Sequence, residues 1–242
     1  MVGTITRCWL FVFQMDASLA CSLLPSPLEL VTHNGLAFWN VVVCAIQGMK
    51  PKLSPFPFGF NYWHVAYRLY VRCHTIEGQA FEGLYFLRSD SDNALLNMFG
   101  NLVTDFNFHT AKTEVHEDSE QVTIAVRSKD APASAILSRT RKPELYDHSA
   151  FASLDEAATF LKYKPNGISP QGNGLANIVH IVRNESEWRS RLLFVESAQW
   201  SYFNGKPVRP EICYEVEPIF YQWSRGQTYK LIFSKQKLIG EA

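Results

Sequence analysis

The stretch that most constrains the fold runs over residues 62–74, where side-chain character alternates without a break. Trp63, Val65, Tyr67, Leu69 and Val71 fall on one side; His64, Ala66, Arg68, Tyr70, Arg72 and His74 fall on the other. A period of two is that of an extended strand, whose successive side chains point to opposite faces. The second set carries two arginines, two histidines and a tyrosine. It therefore faces solvent or lines a polar cavity, and the function turns on which.

The flanking segments build a sheet around this strand. Residues 80–88 read as the next strand. Residues 92–102 read as a short helix, with Leu95, Leu96, Met98, Phe99 and Leu102 at helical spacing and Ser91 or Asp92 as its cap. A further strand is entered through 105–109. Upstream, 8–13 reads as a buried first strand, and Asp16 caps a helix over 17–24 that Pro25 ends. Strands over 28–32 and 35–46 flank the turn His33-Asn34-Gly35. The prolines within 51–60 exclude a regular strand or helix there, and the phenylalanines between them are expected to fold over a barrel end. Downstream, a hairpin is expected over 112–115 and 121–126. Ser153 and Glu156 form a capping box before a helix over 157–163. A glycine- and proline-rich loop over 164–174 follows, then strands over 178–182 and 192–203 around a helical turn at 185–191. The last strands lie near 212–221 and 229–233. About ten strands, few short helices and no strand–helix–strand rhythm indicate a mainly β (α+β) chain. The expected architecture is a closed or strongly curved antiparallel β-barrel, one domain over residues 1–242.

Composition narrows the function classes. Lys+Arg and Asp+Glu are equal at 23 each, so no net field draws nucleic acid or an anionic membrane. No run approaches the ~20 apolar residues of a membrane span. Cys8, Cys21, Cys44, Cys73 and Cys213 are scattered and odd in number, without a C-x-x-C pair. That pattern argues against zinc and against a disulfide framework, and suits reduced thiols in a cytoplasmic protein. His64, His74, His109 and His180 lack metal-ligand spacing. No phosphate-binding or nucleotide-binding glycine loop and no nucleophile elbow is present, so no cofactor and no metal are expected. Self-association into a homo-oligomer stays open.

Three features together resemble the acetoacetate decarboxylase superfamily: Asp16 and the following helix leading into the segment Pro25-Ser26-Pro27-Leu28-Glu29-Leu30; Gly83 to Leu87 followed by an acidic turn and the 94–102 helix; and Gly100 about eight residues before the next strand. The likeness covers roughly residues 7–115. It implies a closed conical barrel holding a small-molecule site, where in that family a lysine forms a Schiff base with a β-keto acid and a second lysine beside it lowers its pKa. Counted from Gly100, that lysine pair falls at Phe108 and His109. Phenylalanine has no amine, so the resemblance implies a branch without imine chemistry at that position. The family's Tyr-x-Glu element falls at Tyr62 to His64, an imidazole replacing the carboxylate, and its arginine lies near Arg7.

The candidate site follows from the polar face of residues 62–74. Arg68 offers a planar, permanently charged fork to a carboxylate. Tyr70 adds a hydroxyl, and His64 a group that exchanges protons near neutrality. Arg72, Glu82 and Phe108 complete the expected ligand-binding set, with His109 and the displaced Lys112 as further catalytic candidates. The expected ligand is a small anionic organic acid; if the protein is an enzyme, it is lyase-like on a carboxylate. The competing expectation is a structural or partner-binding module, its barrel filled by side chains such as Phe106 and Phe108, with Arg68 or Arg72 merely meeting Glu82 across two strands.

Overall fold

The structure is a computed structural model that describes residues 1–53, 55, 58–103, 106–162 and 164–233. The chain runs β1 (Val2–Asp16), α1 (Ala17–Cys21), β2 (Glu29–Leu30), β3 (Thr32–His33), β4 (Leu36–Lys50), β5 (Phe60–His74), β6 (Ala80–Ser91), α2 (Ala94–Val103) and β7 (Phe108–Glu117). It continues through β8 (Gln121–Ser128), β9 (Ala133–Ser138), α3 (Leu154–Phe160), β10 (Asn166–Gly172), β11 (Leu175–Arg183), β12 (Ser190–Trp200), β13 (Arg209–Val216), β14 (Ile219–Trp223) and β15 (Gln227–Lys230).

The strands hydrogen-bond into two rings that share one wall. The wall is β1–β4–β5–β6, paired antiparallel along long registers. One ring leaves it through β7, β8, β9, β12 and β13 and returns to β1. The other leaves β6 through β10, β11 and β14 and also returns to β1. The β6–β7 and β6–β10 pairings are parallel and the rest antiparallel. β1 serves both rings: Val2–Ile5 pair with β14, and from Cys8 onward it pairs with β13.

Each face of the wall therefore has its own core. Trp9, Phe11, Trp39, Val41, Val65, Tyr67 and Leu69 pack in the first ring against Ile124, Leu137 and Trp200. The alternate residues Cys8, Leu10, Val42, Cys44, Ala66 and Phe86 pack in the second against Phe106 and Tyr221. The apolar face of β5 thus fills the first ring, and the face bearing His64 and Arg68 looks into the second.

Local chemistry accounts for most boundaries. Asp16 caps α1, its Oδ1 accepting from Ser18 N at 2.8 Å, though the helix stops at Cys21. Asn34 and Gly35 have positive φ, as a tight hairpin turn requires. α2 is capped by Asn93, whose Oδ1 accepts from Leu96 N at 3.0 Å, instead of by Ser91 or Asp92. Ser91 Oγ and Asp92 Oδ1 accept from Asn93 N and Trp63 N. Ser153 caps α3, accepting from Glu156 N at 3.1 Å, while Glu156 reaches back to Ala152 N. Other expectations fail. Residues 164–174 contain strand β10, and the segment 212–221 is broken at Glu217 and Pro218 into β13 and β14. In the proline-rich loop, Leu53 and Phe58 are 93% and 84% exposed, so they stand in solvent instead of covering a barrel end. Phe56 and Pro57 of that loop, Asp105, Tyr163 and the side chains of Phe99 and Leu102 lie outside the described residues.

Among the described residues, no helix is long and apolar enough to cross a membrane.

Candidate functional site

The second ring holds a partly open cavity of about 60 Å3 against the β1–β4–β5–β6 wall. Its wall side carries Cys8 of β1, Cys44 of β4, His64 and Arg68 of β5 and Phe86 of β6; its far side carries Arg183 of β11, Trp188, and Tyr221 and Trp223 of β14. Register explains the convergence. Cys8 lies opposite Cys44, and Cys44 opposite His64, in one row across three strands. Four residues along, Asn40 lies opposite Arg68, and Arg68 opposite Phe86.

Arg68 is only 5% exposed. A buried guanidinium demands acceptors, and Asn40, itself fully buried, supplies its side-chain oxygen to Arg68 Nη2 and its backbone carbonyl to Nε at 3.5 Å. The Arg68 guanidinium carbon stands 5.5 Å from the Phe86 ring centroid. The other half of the Asn40 amide donates to the Tyr70 hydroxyl at 2.9 Å, which donates onward to the Leu161 carbonyl at 2.8 Å. Tyr70 is thus committed to a structural chain and does not line the cavity; burial pushes its hydroxyl up to about 12.

His64 does not titrate near neutrality as expected. Burial, and next the Arg68 charge, push it down to about 3, so its imidazole is neutral at physiological pH. Its Nε2 is buried and has no hydrogen-bond partner among the described residues. Phe108 stacks on it, with ring centroids 5.6 Å apart at 26°. Gly100 in α2 backs Phe108: a Cβ there would come within 2.6 Å of that ring. The cavity thiols are also neutral, since burial raises Cys8 well above the usual thiol range and Cys44 to about 12.

Arg183 supplies a second guanidinium, its side chain 5% exposed. Its Nε donates to Glu185 Oε1 at 2.9 Å, and its guanidinium carbon lies 3.7 Å from the centroid of the Trp188 ring.

The other expected site residues stand elsewhere. Arg72 and Glu82 pair with each other at the surface, and Lys164 Nζ joins Glu82 at 3.0 Å, so they form an ion-pair cluster across β5 and β6 and not part of the cavity. Lys112 has a side chain 69% exposed and pairs with Glu114 at 2.8 Å on the outside of the first ring. His109 is half-buried, with Nε2 3.2 Å from Asn107 Oδ1, and also does not reach the cavity. The structure therefore brings together His64, Arg68 and Phe108, and adds Asn40, Arg183 and Trp188. Asn40 had a signal: a lone amide inside the apolar run of β4 is a buried polar group that needs a partner. Arg183 had none, since it ends a strand beside charged turn residues.

The same geometry can be set beside known proteins. A family model described as DUF2071, an uncharacterized conserved protein, matches residues 4–177. No curated protein matches the sequence. Among solved structures, acetoacetate decarboxylase from Legionella pneumophila is 11% identical, with a TM-score of 0.61 over 96% of this chain and 88% of that one. An acetoacetate decarboxylase-like enzyme from Sphingomonas wittichii RW1 is 12% identical, with a TM-score of 0.61 over 96% and 93%. The enduracididine biosynthesis enzyme MppR, complexed with pyruvate, is 11% identical, with a TM-score of 0.56 over 94% and 89%. At these identities the likeness establishes the fold.

Proposed function

Since this chain belongs to the DUF2071 family and has the acetoacetate decarboxylase fold, we propose that it binds a small carboxylate in the cavity of the second ring without forming an imine. The observation that carries the reading is the presence of two buried guanidinium groups, Arg68 and Arg183, on opposite sides of one cavity. Buried guanidinium groups favour an anion, although Glu185 already meets Arg183, and their planar forks match a carboxylate. The remaining polar lining is neutral, so the anion meets His64 as a hydrogen-bonding partner, not as a proton donor. The volume suits a group of about two to four water-sized units, the size class of the pyruvate bound by MppR.

Two features support the absence of imine chemistry. Phe108 occupies the position beside His64, and none of the described residues lining the cavity is a lysine. Any reaction here would use electrostatic stabilisation by the two arginines. Unbridged thiols facing the cavity suit a reducing, cytoplasmic setting.

Calorimetry with formate, acetate and pyruvate tests the reading: binding is expected, and Arg68→Ala and Arg183→Ala should each weaken it about tenfold or more. Borohydride added with acetoacetate should leave no covalent adduct. Affinity unchanged in both variants removes the arginines as anchors, and an adduct on any lysine removes the claim about imines. The small volume supports a second reading, a barrel closed on its own side chains and used as a structural or partner-binding module; in that case none of the three anions binds.

A further inference from the structure

A second concavity lies directly behind the first. Between Ile5 and Cys8, β1 leaves β14 for β13, and the two partners diverge at Glu217 and Pro218. In the crotch of this fork is a cleft of about 530 Å3 whose charged lining is Arg7, Arg139, Arg189 and Arg191 with Glu117, Glu215 and Glu217. Cys8 lines both the cleft and the cavity. The turn joining β11 to β12 separates them as well: Trp188 lines the cavity, and the next residue, Arg189, lines the cleft.

Glutamates compensate much of the cleft's charge. Arg7 pairs with Glu117 at 2.7 Å, Arg139 bridges Glu117 and Glu215, and Arg191 pairs with Glu215. Arg189 differs: its guanidinium donates to the carbonyls of Ser186 and Trp188, at 2.7 and 3.0 Å, and meets no carboxylate among the described residues. The turn is closed largely on itself. Asn184 Oδ1 accepts from Ser186 N and Oγ, and Asn184 Nδ2 donates to Glu187 at 2.7 Å. From outside, the turn is held by the Trp188 ring against Arg183, by Glu185 accepting from Arg183, and by Glu217 N donating to the Arg189 carbonyl at 3.0 Å.

We infer that Trp188 is the specificity-determining residue of the carboxylate site: it limits the size of the ligand and stands between the cavity and the arginine-lined cleft from which an anion enters. This rests on the reading of the cavity as a carboxylate site. Trp188 holds the face of the Arg183 guanidinium that a larger ligand would need, so accepting such a ligand requires the indole to leave. Four arginines against three glutamates leave the cleft a small positive excess, and Arg189, which meets no carboxylate among the described residues, supplies the steering charge.

The test is a chain-length series of formate, acetate, pyruvate, acetoacetate and hexanoate, titrated against the natural protein, Trp188→Ala and Trp188→Leu. The natural protein should bind the one- to three-carbon acids and reject the longer ones. Both variants should bind acetoacetate and hexanoate about tenfold tighter than the natural protein does, and Trp188→Leu, which preserves bulk in the turn, covers the case in which alanine destabilises it. Arg189→Glu should slow association at low salt and leave dissociation unchanged. If short acids bind and the variants keep the same length cut-off, Trp188 is not the limit and the inference fails alone. If no protein binds any member of the series, the carboxylate reading fails and takes the inference with it.

Discussion

His64 carries the sharpest consequence at the scale of single residues. Its folded pKa, about 3, lies below the ordinary 6.5, so between those values the unfolded chain binds a proton that the folded chain refuses. The stabilisation is complete above about pH 6.5 and is lost, at roughly 1.4 kcal/mol per pH unit, as the pH falls toward 3. His64→Phe keeps a ring against Phe108 and removes the proton. From pH 7 to pH 5 the natural protein should lose about 2 kcal/mol more than the variant in urea unfolding; equal losses would mean that His64 is solvated. The place of this residue on the polar face of β5 was legible in the alternation, which left open whether that face met solvent or a cavity. Its neutrality was not, because that depends on the second ring burying the face and on Arg68 two turns of pleat away. Tyr70 shows the same limit: its place on the polar face was readable, but not its bonds to Asn40 and Leu161, which come from distant segments.

At the scale of elements, the wall strands were largely legible and the strand that closes the second ring was not. β5 and β6 announce themselves by period. β10 carries Gly167, Pro170 and Gly172, residues that ordinarily punctuate loops. They are tolerated because β10 meets β6 at one parallel register position, Gly167 with Leu84, supported by Asn166 Nδ2 donating to Glu82 O at 2.8 Å. That junction needs bare backbone at Gly83, where a Cβ would run into the Asn166 carbonyl and approach Ile168 Cδ1 at 3.0 Å. Gly83→Ala should therefore cost about 1–3 kcal/mol and raise amide hydrogen exchange in β10 and β11 while leaving β8 and β9 protected. Uniform protection with unchanged stability would show that the junction yields freely.

For the whole molecule, the sequence rhythm correctly indicated a curved, mainly antiparallel sheet, yet it contained no sign of two rings. A residue facing one barrel and a residue facing another look alike when both faces are buried, and only the pairings of β1 and β6 distinguish them. Because β1, β4, β5 and β6 belong to both rings, neither core can be dissolved while the other keeps its wall. Thermal unfolding followed by tryptophan fluorescence, which samples Trp9, Trp39 and Trp200 in the first core and Trp188 and Trp223 in the second, should coincide with far-ultraviolet dichroism in a single transition; two separated transitions would mean that the rings are independent.

The fork in β1 also sets a clock during synthesis. β1 is made before every other strand described, and both of its outer partners, β13 and β14, follow all of them but β15. Once β6 has emerged, the wall can assemble, but it then presents apolar side chains on both faces and a bare edge on β1. A growing chain must hold that doubly sticky sheet apart from its neighbours until the last strands arrive, and then both barrels are sealed almost at once.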